Sequence, residues 1–241
     1  MSPRHASMLS LVLSAGLLGS IGAQSRATVL TFEPVDADDA LIPQSYGDRV
    51  STTPLNGFNY GPAWGFTPNV TVEWRPTIRW RHIDPGETGF GDLQDFAYRE
   101  DSGNRIMEIL FFADAGWNIC LHEFDLAAKI GEALPVKAVR VTTGTNVDLF
   151  RVDFPTIPDI LEPRPLPVGV TGTPTHMHFS FDPAICNAPF VKIRIELDNL
   201  GFKCDQIAID NIGFGQMPVP APGTGVMVGA GMLLAARRRR H

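Results

Sequence analysis

Several features that announce a reaction are missing from these 241 residues. There is no glycine-rich phosphate loop and no dinucleotide fingerprint. There is no Gly-x-Ser-x-Gly, and no serine stands in a recognisable setting beside histidine and aspartate. No apolar run reaches the roughly 20 residues that cross a bilayer, which excludes a multi-span membrane protein. No long amphipathic helix and no strand–helix–strand alternation is present, so bundles and doubly wound folds are excluded. Cysteine is scarce, with three in the chain, and residues 1–27 and 215–241 contain no aspartate or glutamate.

That last absence divides the charge. The two ends hold six of the 20 basic residues, which leaves the body at 28–214 with 14 basic and 26 acidic side chains, a net charge of −12. Such a body repels phosphate backbones and makes nucleic acid an unsuitable partner. It suits cations, although solubility alone also accounts for it.

What is present in the body is alternation. Val70, Val72 and Trp74 alternate with Thr71, Glu73 and Arg75. Phe150, Val152 and Phe154 do the same, as do Met177, Phe179 and Phe181, and Val191, Ile193, Ile195 and Leu197. A period of two with one apolar face predicts half-buried strands. Further strands are expected at 28–34, 105–112, 118–124, 136–142 and 206–214, about nine in all, with one or two helical turns at 125–133 and a proline-rich loop from Phe154 to Pro167. The expected fold is all-β: one two-sheet antiparallel β-sandwich of jelly-roll type over 28–214. In the last strand Ile207 and Ile209 fall on one parity, and Ile212 and Phe214 on the other. All four reach the core only if a β-bulge near Asp210-Asn211 shifts the register by one residue.

The ends read as targeting segments. Residues 1–27 have a basic start at Arg4, an apolar stretch from Met8 to Ile21 and small residues at Ala23 and Ala27, the pattern of a signal peptide. At 215–241 a stiff Pro218-Val-Pro-Ala-Pro222 spacer is followed by an uncharged run from Gly223 to Ala236 and then by Arg237, Arg238, Arg239 and Arg240. The run makes a helix of roughly 21 Å, short of the roughly 30 Å hydrocarbon core. The arginines would stay cytoplasmic and leave the body outside.

This tail resembles the PEP-CTERM sorting signal of exported bacterial proteins, with Val219, Pro220, Ala221 and Pro222 in place of the family's Val-Pro-Glu-Pro. The resemblance implies signal peptidase and an exosortase-like sorting protease as partners, membrane contact through the tail, and display at the cell envelope, cell surface or extracellular matrix. The departure at Ala221 bears on recognition by that protease. The body is similar to galactose-binding-like, jelly-roll carbohydrate-binding modules at Leu30-Thr-Phe-Glu33 and at Gln206-Ile-Ala-Ile-Asp-Asn-Ile-Gly-Phe214. That similarity implies a structural calcium held by Glu33 and Asp210 with backbone carbonyls; oxygen ligands of this kind are what calcium prefers.

Other candidates are weaker. Asp36, Asp38 and Asp39 lack the glycine and glutamate of an EF-hand, since Leu41 and Gly47 stand there. His176 and His178 share a strand face at a spacing found in metal sites, but no second histidine cluster follows, and a polar face is the plainer reading. Tyr60, Trp64 and Trp80 are candidates for stacking on sugar rings, with core or loop packing as the alternative. Trp74 falls on the apolar parity and reads as core. Cys120, Cys186 and Cys204 are odd in number. If the strands at 191–197 and 206–214 form a hairpin, Cys186 and Cys204 lie at its opposite ends, and no pair is assigned.

The expected protein is therefore exported and non-catalytic, structural or associated with an extracellular matrix. A calcium-stabilised module that binds extracellular polysaccharide is the alternative. A polysaccharide hydrolase is a second one, since 26 acids allow many carboxylate pairs.

Overall fold

A computed structural model describes residues 27–34, 41–51, 58–61, 66–76, 80–83, 93, 96–99, 106–128, 136–154, 170–173, 176–197 and 207–219. Residues 1–26 of the expected signal segment, Asp36, Asp38 and Asp39, residues 155–167 of the expected proline-rich loop, Cys204 and the tail from Pro220 onward lie outside the described residues.

The described chain is all-β. Thirteen strands run β1 (Ala27–Pro34), β2 (Phe58–Gly61), β3 (Val70–Arg75), β4 (Trp80–Ile83), β5 (Phe96–Arg99), β6 (Ile106–Ala113), β7 (Trp117–Ala128), β8 (Val136–Thr143), β9 (Asp148–Asp153), β10 (Val170–Thr173), β11 (His176–Ala188), β12 (Phe190–Leu197) and β13 (Ile207–Pro218). Each of the nine expected strands is there, and the four additional ones are four residues long. Two differences stand out. Asp125 to Ala128 extend β7 rather than beginning a helix, because they pair in register with both β11 and β13. β12 and β13 do not form a hairpin: they lie in different sheets.

The strands form two antiparallel sheets. One has five strands in the order β3-β6-β12-β8-β9. The other has eight: six follow the order β10-β11-β7-β13-β1-β2, and β5, paired with β4, joins along β13. β1 pairs with β13 from Ala27↔Gly215 to Leu30↔Ile212, and β5 becomes the neighbour of β13 at Ala208 and Ile209.

The inner faces meet in an aromatic core. Phe111 of β6 contacts Phe214 of β13 at 4.9 Å between ring centres, Trp74 of β3 contacts Phe32 of β1 at 5.7 Å, and Phe150 of β9 meets Phe179 of β11 at 6.3 Å. These contacts join the sheets face to face as a sandwich. The alternation explains the order: along β12 every second side chain is buried, as it is along β3. The outer face of the five-stranded sheet is held by ion pairs instead. There Glu108 bonds Lys192 at 3.1 Å and Arg194 at 3.0 Å, and Arg194 also bonds Glu196 at 3.0 Å.

One end of the core depends on a hydroxyl. Phe32 is fully buried and has φ +56°, so its N–H leaves the strand ladder. That N–H donates to the buried Tyr46 hydroxyl at 2.9 Å. Gly47 follows with φ +93°, and a Cβ there would come within 2.9 Å of Val72. Tyr46→Phe keeps the ring and removes only the acceptor. It should lower stability by about 1–3 kcal/mol in urea unfolding, the cost of an orphaned buried donor. Arg151→Ala, in an exposed ion pair, should change it by less than about 0.5 kcal/mol.

Candidate functional site

The polar outer face of the eight-stranded sheet centres on Asp125. Register places His178 of β11 opposite Asp125 of β7, and Asp125 opposite Asp210 of β13. Because side chains alternate, these three share a face, with Glu123 and Ser180 one step along it. Directly opposed carboxylates repel, and here both are buried, Asp125 at 8% and Asp210 at 5% exposure.

Asn211 separates them. It has φ +50°, a left-handed conformation that asparagine tolerates better than most residues. Its backbone N–H donates to Asp210 Oδ1 at 2.6 Å, and its side-chain Nδ2 donates to Asp125 Oδ2 at 2.9 Å. The other oxygen of Asp125 lies 2.7 Å from His178 Nδ1 and 3.8 Å from His176 Nε2. Burial pushes the Asp125 carboxyl up, but the imidazoles and the Asn211 amide outweigh it and hold its pKa below the ordinary value.

Asn211 also marks the bulge. Between the pairs Asp210↔Asp125 and Gly213↔Glu123, β13 has two residues where β7 has one. The extra residue turns the strand over, and Ile207, Ile209, Ile212 and Phe214 are all fully buried. A second irregularity falls at His122, between Leu121↔Phe214 and Glu123↔Gly213. A third is on β11, where Phe181 to Ala184 stand opposite His122 alone, between Ser180↔Glu123 and Ile185↔Leu121. Just below, a disulfide joins Cys120 of β7 to Cys186 of β11.

Where these irregularities coincide, the surface sinks into an open depression of about 660 Å³, lined by Val29, His122, Glu123, Ser180, Phe181, Asp182, Pro183, Ala184 and Gly213. Gly213 leaves room for Glu123, whose Cγ would lie 3.0 Å from a Cβ at that position. Burial lowers the pKa of His122, and among the described residues its buried Nε2 has no hydrogen-bond partner.

The structure distributes the residues singled out by sequence. Trp80 is 1% exposed, packs edge-on against Trp74 at 5.3 Å and is core, so it offers no ring face to a sugar. The Tyr60 side chain and all of Trp64 lie outside the described residues. So does the Glu33 side chain, while Asp210 lies at the bulge. Val219 is exposed, whereas Pro220, Ala221, Pro222 and Arg237 to Arg240 are outside. Among the described residues, no group of three or more His, Cys, Asp or Glu side chains is arranged to hold a metal ion. The sequence pointed to His176, His178 and Asp210 but not to Asp125. The signal for Asp125 is an acid set between Phe124 and Leu126, and its partners lie more than 50 positions away in sequence.

Neither a protein-family model nor a curated protein sequence matches the chain. Among solved structures, it is similar to the Stig cyclase Fisc of Fischerella sp. TAU, solved in complex with a pyrrolidinylidene-indole. The match covers 79% of this chain and 92% of that one, at 13% identity and a TM-score of 0.32, and carries no argument about fold or function.

The Asp125 network has a pH signature. A depressed folded pKa adds stability that is full above about pH 4 and is lost as the pH falls through the lower folded value. Asp125→Asn should therefore be less stable than wild type by about 1–3 kcal/mol at pH 7. The difference should shrink as the pH falls through the lowered value of the folded carboxyl, where the wild-type group itself becomes protonated. Urea unfolding from pH 2.5 to pH 7 checks this, and a gap that is constant with pH would contradict it.

Proposed function

We propose that this chain is an exported protein of the cell envelope or its extracellular matrix, and that its β-sandwich works without catalysis, as a structural element. The observation that carries the reading is the Cys120–Cys186 disulfide. Such bonds persist in oxidising compartments and are rare in the cytosol. Closing a loop of 66 residues contributes on the order of 4 kcal/mol in the chain-entropy picture. The signal-like segment at 1–27 and the tail from Pro218 to Arg240 agree with export, processing by a signal peptidase and sorting by an exosortase-like protease. A jelly-roll wiring, with a signal helix before it and a hydrophobic helix behind it, completes this reading; the side-by-side placement of β1 and β13 supports it.

Asp125 and His178 would be a natural acid–base pair, but both oxygens of Asp125 are committed to holding β11 and β13 in place. Their role is that of a strut.

A second reading is a module that binds extracellular polysaccharide, with calcium at Glu33 and Asp210 tying the first and last strands together. The depression beside Glu123 favours it.

Export is tested on the full chain, expressed in a bacterium that carries an exosortase. Fractionation and alkylation without prior reduction, read by mass spectrometry, should find it in the membrane or extracellular fraction with Cys120 and Cys186 in one linked peptide. Replacing Arg237 to Arg240 with serine should release unprocessed protein to the medium. A cytoplasmic protein with both thiols alkylated would overturn the proposal.

A further inference from the structure

We infer that the depression between β7, β11 and β13 is a binding site for a non-acidic sugar unit. The inference rests on the polysaccharide-binding reading and names its site. β-Bulges commonly re-aim side chains at sites, and here irregularities in three neighbouring strands fall at one place. The disulfide between Cys120 and Cys186 fixes β7 to β11 at the base of the longest one. About 660 Å³ lies within the range of small-molecule sites.

The lining has the two chemistries that a pyranose needs. Val29, Phe181, Pro183 and Ala184 form an apolar wall for the C–H face of a ring. Glu123 and Asp182 offer carboxylate acceptors to hydroxyl groups, and the Ser180 hydroxyl both donates and accepts. Two acids in a body of net charge −12 exclude uronates and sulfated sugars by repulsion. Gly213 supports the design, because the side chain that it lacks leaves Glu123 its space.

The test uses the full chain on an array of neutral glucans, galactans, mannans and chitooligosaccharides, with oligouronates as the acidic comparison. Calorimetric titration of the best-bound oligosaccharide follows. Wild type should bind a non-acidic oligosaccharide. Glu123→Gln and Asp182→Asn should each weaken that binding about tenfold, since each loses a hydrogen bond to a charged acceptor. Ser180→Trp, at the exposed rim, should block it. Arg151→Ala, on the other sheet, should bind as wild type does. Melting curves identify any variant that has lost its fold, and Asp182 and Ser180 are exposed positions where that loss is not expected. Binding that survives all three site variants would overturn the site and leave the polysaccharide reading standing. Preference for uronates would likewise overturn the site as drawn, and failure to bind any probe would overturn both.

Discussion

The left-handed backbone of Asn211 is the constraint on which the last strand, and much of the sheet around it, depends. Without the extra residue there, the side chains on the two sides of Asp210-Asn211 would face opposite ways, and either Ile207 and Ile209 or Ile212 and Phe214 would point to water. Burying a side chain of that size contributes roughly 1.5–3 kcal/mol, so the bulge decides the fate of four such terms at once. The same residue keeps two carboxylates apart. Its N–H is bonded to Asp210 and its amide to Asp125, so a pair that would repel is held by a donor on each side. β13 is the strand that joins the two halves of the larger sheet, with β7 on one side and β1 and β5 on the other. An error in its register would reach both.

The depression is a consequence of the same economy of means. A regular antiparallel sheet has no concavity of its own, because each strand repeats the spacing of its neighbour. Here β13 carries one extra residue at Asn211-Ile212, β7 carries one at His122, and β11 swells from Phe181 to Ala184. The disulfide ties β11 to β7 at the next irregularity, where Cys186 and Asn187 stand opposite Cys120 between Ile185↔Leu121 and Ala188↔Ile119. On the opposite sheet the irregularities are single residues at separate places, Lys137 on β8 and Leu149 on β9, while β12 pairs with β6 without interruption from Phe190 to Glu196 and its outer face is filled by paired charges. One sheet is a brace and the other carries the concave surface.

How much of this was legible follows from range along the chain. Alternation is local, and it located the long strands and assigned Trp74 to the core. The parity conflict between Ile209 and Ile212 is local too, and it placed the bulge at Asp210-Asn211. The short strands at 58–61, 80–83, 96–99 and 170–173 hold four residues each, too few for a periodic pattern to stand out. Trp80 looked ambiguous between two arginines because its burial comes from Trp74, on another strand. The hairpin expected between β12 and β13 bore on Cys186 and Cys204 alone; the partner of Cys186 lies 66 residues away, on a strand that no local signal links to β11. His176 and His178 were visible as a pair, yet the carboxylate that gives them a role comes from β7.

The most direct measurement of the central claim is the stability of Asn211→Gly against that of Asn211→Ala. Both substitutions remove the amide and its bond to Asp125, so they differ in the backbone alone. Inside a strand alanine is ordinarily the more stable of the two, because glycine gives up more conformational freedom on folding. At a left-handed position the order reverses, since a Cβ is penalised there by roughly 1–2 kcal/mol. Urea unfolding at pH 7 should find the glycine variant more stable than the alanine variant by about 1 kcal/mol. An alanine variant equal to or better than glycine would mean that Asn211 does not hold the left-handed bulge, and the register of β13, the strut at Asp125 and the depression beside it would lose their common cause.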